Sequence, residues 1–389
     1  WLGRMATVCV HGLGYIGLPT AAILATNGHE VVGYDVADSV VERLQSGDLR
    51  IEEPELEGLV TEALDTGSLQ IADEPVPASF HLICVPTPLA DDDSADLQYV
   101  TTAGTTITEL LRPGDVVILE STVPPGTTTE VLRPLLEDDD LRAGEEFSLA
   151  YSPETVLPGN ILAELRQNDR IVGTVGQTAI VPVRQLYESF VEGEIHATDA
   201  TTAEIAKLAQ NTYRDVNVAL ANEVAMRCYD QGVDALDAIE LANAHPRVDI
   251  LRPGPGVGGH CLPVDPYFLV EGREEDGLIQ AARATNDGMT DHVVRVLEDL
   301  LEPLDGLKIA VLGVAYKGNV DDIRRSPGLK LAETLQNRRE GGSVTLADPV
   351  VEDDRLALQP VPDAVSGADA AVVTADHDAF EVLEPRRLM

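Results

Sequence analysis

The sequence ATVCVHGLGYIG, residues 6–17, is a short apolar run that ends in three closely spaced glycines. A helix-compatible stretch continues to Asn27, and a second apolar run, Val31–Tyr34, leads into Asp35. This order predicts a strand, a glycine turn, a helix and a second strand, as in a dinucleotide-binding βαβ unit. Asp35 follows the last glycine by 18 residues, the spacing at which an acid binds the ribose hydroxyls of NAD.

The glycine turn supplies the first candidate cofactor contacts, which are Gly12, Gly14, Tyr15, Ile16, Gly17 and Asp35. No basic residue follows Asp35 before Arg43, so a 2′-phosphate has no evident partner. We therefore expect NAD as the cofactor, not NADP. The alternative is an ordinary turn between a strand and a helix.

Two further apolar runs, Phe80–Val85 and Asp115–Leu119, are predicted strands that end in hydroxyl-bearing turns. Thr87 follows the first and Thr122 the second. Because open α/β sheets bind ligands at the carboxyl ends of their strands, both threonines are candidate contacts to the nicotinamide or its ribose. Hydroxyl side chains that only cap turns are the alternative.

Residues 201–231 read as one long helix without glycine or proline. Lys207, Asn211 and Arg214 are spaced i, i+4 and i+7, which places them on one face. A solvated polar face is the alternative. We favour a functional face because its neighbours are apolar and because the chain contains only four lysines.

Residues 253–269, PGPGVGGHCLPVDPYFL, are expected to be neither ordinary helix nor strand. Glycines let the backbone approach a ligand, prolines fix its path, and Cys261 then stands at the end of a rigid cradle. The pattern predicts a nucleophile presented to a phosphate-bearing substrate. A buried structural thiol in a turn is the alternative.

A second βαβ series begins with the predicted strand Lys308–Leu312, which is followed by GVAYKG. Lys317 and Arg324 suit a diphosphate, and a surface ion pair to Asp321 or Asp322 is the alternative. We expect an α/β protein with two Rossmann-like doubly wound domains joined by a long central helix. The predicted domains are residues 1–195, which would bind NAD, residues 196–302, which contain the long helix and the cysteine segment, and residues 303–389, a second nucleotide-binding-like domain.

The chain of 389 residues is strongly acidic, with 67 acidic and 27 basic residues and a formal net charge of −40. Nucleic acid is therefore not expected as a partner. We interpret the dispersed acids as a halophilic adaptation, since at about 1 M salt the Debye length falls to about 3 Å. Retention of fold and activity in dilute buffer would contradict this interpretation.

The sequence contains no apolar run long enough for a membrane span and no hydrophobic core of a signal peptide, so we expect no membrane partner and a cytoplasmic location. The four cysteines are widely scattered without a CxxC pair. Their spacing predicts neither a disulfide framework nor a metal site.

These motifs together resemble the UDP-glucose/GDP-mannose dehydrogenase family over essentially the full length. GLGYIG, VPTP, STVPPGT, SPE, KLAQN, GGHCLPVD and AYKGNVDDIR occur in the family's order. Within the family, PETVLPGN and HPRVDILRPGPGVGGHC are most similar to the enzymes that act on UDP-N-acetyl-D-mannosamine. UDP-glucose dehydrogenases tend to have glutamate at Pro158 and serine at His260.

The resemblance implies a four-electron oxidation in which the C6 alcohol of a nucleotide sugar becomes a carboxylate, with two NAD⁺ reduced and one water consumed. Cys261 would hold the aldehyde as a thiohemiacetal and then as a thioester. Lys207 and Asn211 would serve the oxyanion and the protons. Asp265 and Glu154 are the two candidates for activating water, and the choice between them stays open.

The resemblance also implies substrate contacts and an oligomer. The contacts are Val156, Lys207, Asn211, Arg214, His245, Arg247, Gly258, Tyr316 and Lys317, with Arg324 on the cofactor side. His245 and Arg247 would reach a neighbouring subunit's site, which implies a homodimer or a higher homo-oligomer through the long helix. Thr155 and Arg325 depart from the family's usual arginine and glutamate.

Three rival functions remain. The nearest is the same chemistry on UDP-N-acetylglucosamine or UDP-glucose. An NAD-dependent epimerase would need tyrosine followed by lysine four residues later, and no tyrosine here has that neighbour. A nucleotide-sensing module would keep the binding domains but would not need Cys261.

Overall fold

The computed structural model describes residues 5–49, 53–156, 159–176, 179–273, 277–301, 303–338 and 340–380. The chain forms two compact units, residues 1–208 and 209–389. One helix of 32 residues, Ala200–Gln231, begins in the first unit and ends in the second. Pro158, which entered the comparison with UDP-glucose dehydrogenases, lies outside the described residues.

Unit 1 is a sheet covered by helices on both faces. Its strands are β1 (Thr7–His11), β2 (Glu30–Tyr34), β3 (Leu69–Ala72), β4 (Phe80–Ile83), β5 (Val116–Leu119), β6 (Ser148–Tyr151), β7 (Arg170–Val175) and β8 (Ile195–Asp199). Its helices are α1 (Gly17–Thr26), α2 (Asp38–Gln45), α3 (Leu56–Asp65), α4 (Gln98–Thr108), α5 (Arg133–Leu136), α6 (Ile161–Gln167), α7 (Ile180–Tyr187) and the start of α8 (Ala200–Gln231).

The described strands of unit 1 form one eight-stranded sheet in the order β3-β2-β1-β4-β5-β6-β7-β8. Side chains alternate between its faces. Val116 and Ile118 on β5 pack with α1, α3, α6 and α7 on one face, whereas Val117 and Leu119 pack with α4, α5 and the start of α8 on the other. The central strands are therefore apolar on both sides, as in doubly wound folds.

The structure confirms the α/β class, and one strand departs from the parallel arrangement of the others. β7 runs antiparallel to β6 and parallel to β8. The short strands β3 and β8 were not predicted. β3 has only four residues, and most of β8 is exposed, so neither carries the continuous apolar run that revealed the central strands.

The predicted helix after β5 begins as a π-helical segment, Thr127–Leu132, before it becomes α5. The buried carboxylate of Glu204 on α8 accepts hydrogen bonds from Gly126 N at 2.6 Å, Thr128 N at 2.8 Å and Thr128 Oγ1 at 2.6 Å. Burial raises the pKa of Glu204, and these bonds oppose the rise. A distant side chain thus caps this helix start.

Unit 2 continues α8 and adds a smaller sheet. Its elements are α9 (Ala235–Asn243), α10 (Asp265–Val270), α11 (Leu278–Leu301), β9 (Lys308–Leu312), α12 (Pro327–Arg338), β10 (Ser343–Ala347), α13 (Val361–Val365) and β11 (Ala370–Val373). In the described part of unit 2, the three strands are parallel in the order β10-β9-β11. α11 and α12 cover one face, and α13 covers the other.

The predicted bounds of the long helix and of β9 agree with the structure to within one residue. The cysteine segment does not remain irregular throughout, as had been expected, because α10 begins at Asp265. Among the described residues, a helix suited to spanning a bilayer is not found.

Candidate active site

The glycine turn after β1 has room for a dinucleotide at one position only. Gly12 has φ +95°, and a Cβ there would lie 2.6 Å from the Cys84 carbonyl oxygen. A Cβ on Gly17 would lie 1.9 Å from the Gly12 oxygen, whereas Gly14 is exposed and has no neighbour within 4 Å. Gly12 and Gly17 therefore serve the close packing of the turn, and Gly14 leaves its surface open to a pyrophosphate.

Asp35 is held against this turn. One of its carboxylate oxygens accepts from Leu13 N at 2.9 Å, and the other accepts from Ala37 N at 3.0 Å. Each oxygen keeps a further acceptor site, so the carboxylate can receive ribose hydroxyls. The turn and Asp35 together fit the adenosine half of NAD.

Tyr15 and Ile16 complete the turn, and Tyr15 is tied to a residue that the sequence interpretation missed. The Tyr15 hydroxyl donates to the Glu53 carboxylate. Glu53 is 8% exposed and also accepts from Gly159 N at 2.6 Å. Glu53 thus links the glycine turn to the loop after β6.

Thr87 and Thr122 are brought together at the carboxyl ends of β4 and β5. The Thr87 hydroxyl donates to the Thr122 carbonyl oxygen at 2.6 Å. Both residues remain partly exposed. The structure therefore gives Thr87 a local role in joining two loops, and its oxygen keeps the capacity to accept a hydrogen bond.

A buried ion pair that was not predicted lies beneath these loops. Arg170 Nη2 donates to Glu120 Oε1 at 2.6 Å, and both side chains are at most 6% exposed. The Tyr187 hydroxyl donates to the same oxygen at 2.5 Å, and Arg170 stacks 4.0 Å from the Tyr187 ring centroid. Arg170 Nε also donates to Ser152 Oγ at 2.9 Å. The spacing of Glu120 and Arg170 in the sequence gave no sign of this pair.

Glu154, in unit 1, is a titratable group whose pKa suits base chemistry. Burial raises the pKa of its carboxyl to about 7, and the Lys207 and Arg170 cations moderate the rise while Glu120 and Glu164 add to it. Lys207 itself is 6% exposed on α8. An acid with a pKa near neutrality is suited to proton transfer, and here a buried lysine accompanies it.

Unit 2 joins Asn211, Asp265 and Cys261. Asn211 Nδ2 donates to Asp265 Oδ2 at 2.6 Å, and Asp265 is 3% exposed at the first turn of α10. Asp265 N in turn donates to the Cys261 carbonyl at 2.9 Å. Cys261 is therefore positioned by the start of a helix, is partly exposed and forms no disulfide.

Tyr316 and Arg324 form the other side of the Cys261 environment. The pKa of Arg324 is raised, first by its hydrogen bonds to Asp322, and the Cys261 thiolate contributes in the same direction. Burial raises the pKa of Tyr316, with Asp322 and Cys261 adding to it. Because the coupling is mutual, Arg324 favours the thiolate form of Cys261.

Arg324 also makes the ion pair that the sequence left as an alternative. Its Nε donates to both Asp322 oxygens at 3.0 and 2.9 Å, and its Nη2 donates at 2.5 Å. The guanidinium remains 54% exposed. The pair orients Arg324 and leaves part of its donor set accessible.

The glycines before Cys261 have a packing role that was not foreseen. A Cβ on Gly258 would lie 2.7 Å from the Tyr316 Cβ and 2.7 Å from the Arg325 carbonyl oxygen. Gly259 has φ +90° and donates its N–H to the Arg324 carbonyl at 2.9 Å. The absent side chains therefore admit the Tyr316 loop, and ligand contact is not their only function.

The remaining substrate candidates differ in exposure. Arg214, His245, Arg247 and Lys317 are exposed, whereas Val156 is half-buried against the first core of unit 1. Arg247 N donates to His245 Nδ1 at 3.3 Å. The structure joins these two residues locally and leaves both side chains at the surface.

Asparagines hold the backbone that leads to Cys261, and sequence reasoning missed all of them. Asn217 Oδ1 accepts from Leu251 N at 3.1 Å, and Asn222 Oδ1 accepts from Gly254 N at 2.8 Å. Asn222 Nδ2 donates to Asn286 Oδ1 at 2.9 Å inside the core. Asn217 and Asn222 are five residues apart on α8 and do not share one helical face, so their spacing gave no signal.

Family models match the chain in three consecutive segments. Residues 6–191 match the NAD binding domain of the UDP-glucose/GDP-mannose dehydrogenase family, residues 201–288 match its central domain, and residues 310–389 match its UDP binding domain.

Several relatives are similar over nearly the whole chain. A UDP-N-acetyl-D-mannosamine dehydrogenase of Pyrococcus horikoshii is 46% identical over 96% of this chain and 90% of its own length. A UDP-D-ManNAc dehydrogenase structure from the same organism has a TM-score of 0.90 at 44% identity, covering 98% of this chain and 92% of that one. An NDP-N-acetyl-D-galactosaminuronic acid dehydrogenase of Ralstonia nicotianae is 42% identical over 98% of this chain and 93% of its own.

Asn222→Ala is predicted to loosen the segment before Cys261. The change leaves Gly254 N and Asn286 Oδ1 without their partner, so we expect the free energy of unfolding to fall by about 1–3 kcal/mol. Hydrogen–deuterium exchange should accelerate in peptides covering residues 250–262. The control is Asn337→Ala, which removes an exposed asparagine on α12 and should change neither quantity. Unchanged exchange in Asn222→Ala would contradict the pinning role.

Proposed function

The chain belongs to the UDP-glucose/GDP-mannose dehydrogenase family, and from that premise we propose that it oxidises the C6 alcohol of UDP-N-acetyl-D-mannosamine to the carboxylate. The protein is an NAD-dependent oxidoreductase. The observation that carries the proposal is the grouping of Cys261 with Asn211, Asp265 and Arg324, because an alcohol dehydrogenase that stopped at the aldehyde would need no nucleophile.

The turn at Gly12, Gly14 and Gly17 with Asp35 would hold NAD⁺, which accepts one hydride from the sugar carbon in each oxidation. In the first oxidation a basic group takes the hydroxyl proton. The Cys261 thiolate then adds to the aldehyde carbon, and the carbonyl oxygen takes a proton to give a thiohemiacetal. Loss of a second hydride and of that proton gives a thioester. Water cleaves it into the carboxylate and the Cys261 thiolate, and the two protons released pass to basic groups or to solvent.

The polar groups have separate tasks in these reaction steps. Asn211 uses one amide hydrogen on Asp265, so its other amide hydrogen can donate to the developing oxyanion. The buried Lys207 ammonium supplies positive charge to the same intermediates. Arg324 stabilises the thiolate before attack.

The substrate's diphosphate needs cations, and basic residues are scarce in this acidic chain. Arg214, Lys317 and Arg324 are exposed and belong to unit 2, whose C-terminal part matches a UDP binding domain. We assign the diphosphate to these cations and the sugar to Tyr316 and Gly258. Val156, His245 and Arg247 are proposed as further substrate contacts.

The domains are proposed to divide at residues 195 and 302. The three matched family segments follow the same order. The central segment would contribute α8 and the Cys261 loop, and Thr87, Thr122, Tyr15 and Ile16 would line the cofactor side of the first domain.

The product, a nucleotide-activated uronic acid, is a glycosyl donor, so a polysaccharide-building glycosyltransferase would consume it. A cytoplasmic location suits the NAD requirement. Four cysteines without a disulfide are consistent with a reducing compartment.

Turnover with UDP-sugars in high salt tests the reaction. We expect two NADH per UDP-N-acetyl-D-mannosamine, with lower kcat/KM for the UDP derivatives of glucose, N-acetylglucosamine and N-acetylgalactosamine. Preference for the N-acetylgalactosamine derivative would instead favour the activity for which the Ralstonia relative is named. A yield of one NADH per sugar would refute the double oxidation.

Cys261→Ala separates the covalent mechanism from mere nucleotide binding. The variant should bind NAD and UDP-sugar but form no acid, while Cys228→Ala, which alters a buried thiol on α8, should keep its activity. A Cys261→Ala variant that still produced the acid at the normal rate would overturn the mechanism.

Glu154→Gln tests which acid activates water. With a pKa of about 7, Glu154 is protonated at lower pH and cannot act as a base, so kcat should fall as the pH drops through 7. Glu154→Gln should lower kcat strongly and should abolish the fall of kcat as the pH drops through 7. Glu145→Gln, at an exposed carboxylate, should keep both. If the kcat of Glu154→Gln still fell as the pH dropped through 7, the activation of water would be assigned to Asp265.

The free energy of unfolding also depends on the protonation of the Glu154 carboxyl. Its pKa is higher in the folded chain than the ordinary value of 4.5, so the folded state holds the proton more tightly. Wild type should therefore lose stability relative to Glu154→Gln as the pH rises from 4.5 to 7. Thermal melts across this range measure the difference.

A homodimer through α8 is the proposed assembly. Ile205, Tyr213 and Leu220 are 44, 62 and 50% exposed on one face of this helix, and Lys207 and Asn211 point to the opposite face. Two chains of charge −40 repel unless salt screens them. Light scattering should give twice the 41.6 kDa chain mass in concentrated KCl and dissociation in dilute buffer. A monomer at every salt concentration would refute the dimer, and a stable dimer in dilute buffer would refute the halophilic adaptation.

A further inference from the structure

Three potential metal ligands leave the same face of the central sheet in unit 1. Cys9 and His11 are two residues apart on β1, and His81 on β4 is the direct partner of Cys9 in the parallel pairing. Because side chains alternate along a strand, all three lie on one side. Val8 and Val10, their neighbours on β1, belong to the core on the opposite side.

The spacing of the three groups approaches that of a metal centre. One ligand atom from each residue lies within 4.8 Å of the others, and His11 Nε2 is 3.3 Å from His81 Nδ1. Two imidazole nitrogens bound to tetrahedral zinc at 2.0–2.1 Å are separated by about 3.3 Å. A thiolate would need to approach by roughly an ångström to complete the set.

The cluster is buried, and its two imidazole rings face each other. Cys9, His11 and His81 are at most 1% exposed. The rings share one contact through His11 Nε2 and His81 Nδ1, and these two facing nitrogens are the ones that an ion between the rings would bind.

We propose that Cys9, His11 and His81 bind a single zinc-class metal ion. A thiolate and two imidazoles favour zinc and similar transition metals over magnesium or calcium. On binding, the Cys9 thiol forms a sulfur–metal bond and releases its proton to solvent. Three protein ligands leave the fourth position to a small molecule such as water. The ion would join β1 to β4 directly before the glycine turn.

This site revises the expectation drawn from cysteine spacing. The sequence contains no CxxC, and the histidine ligands are separated by 70 residues. Strand pairing brings them together, so a search for local metal motifs does not detect the set.

Cobalt substitution of the full-length protein tests the proposal. After chelation and dialysis in high salt, the wild type should take up one Co²⁺ per chain, with a thiolate-to-metal charge-transfer band and the intense d–d absorption of a four-coordinate ion. Zinc should displace it. Cys9→Ser should lose the charge-transfer band, and both Cys9→Ser and His81→Gln should weaken binding by roughly 100-fold or more.

Cys228→Ser and Cys261→Ser are the matched controls because they remove thiols outside the cluster. Both should keep the band and the stoichiometry. The proposal is overturned if wild type takes up no stoichiometric cobalt, if Cys9→Ser keeps the band, or if Cys261→Ser alone removes it. Circular dichroism of each variant separates loss of the ligand from loss of the fold, and the wild-type measurement decides the question even if a variant does not fold.

Discussion

Polar side chains on α8, fully or partly buried, accept hydrogen bonds from backbone N–H groups of loops that have no strand partner. Glu204 accepts from the loop after β5, and Asn217 and Asn222 accept from the segment before Cys261. An unpaired N–H in a dry interior costs about 1–3 kcal/mol, so each acceptor selects one loop conformation. The same helix bears Lys207 and Asn211. α8 therefore carries both the proposed catalytic residues and the side chains that accept hydrogen bonds from these loops.

Each unit also contains a buried carboxylate–arginine pair. Glu120 with Arg170 serves unit 1, and Asp215 with Arg283 at 2.6 Å serves unit 2. A pair of this kind adds little net stability, but removal of one partner leaves an uncompensated charge. Its effect near the candidate catalytic groups is electrostatic. Arg170 moderates the raised pKa of Glu154, and the Asp215 carboxylate also accepts from Asn286, the partner of Asn222.

Several glycines in this chain are needed because other atoms lie where a Cβ would stand. Gly12 and Gly17 admit backbone oxygens, and Gly258 admits Tyr316, whereas Gly14 faces open space. A glycine-rich motif therefore combines two requirements, tight packing and access for a ligand. Residue order alone does not separate them, since both need the absence of a Cβ.

The sequence by itself determined the α/β class, the central strands and the long helix, because apolar periodicity and motif order are local properties. It also placed Lys207 and Asn211 on one helical face. Only the tertiary structure decided the antiparallel β7, the Glu120–Arg170 pair, the asparagine contacts and the Cys9, His11 and His81 cluster. Those features join residues that are distant in sequence, so their partners, burial and pKa values exist only after the strands pair and the loops close on α8.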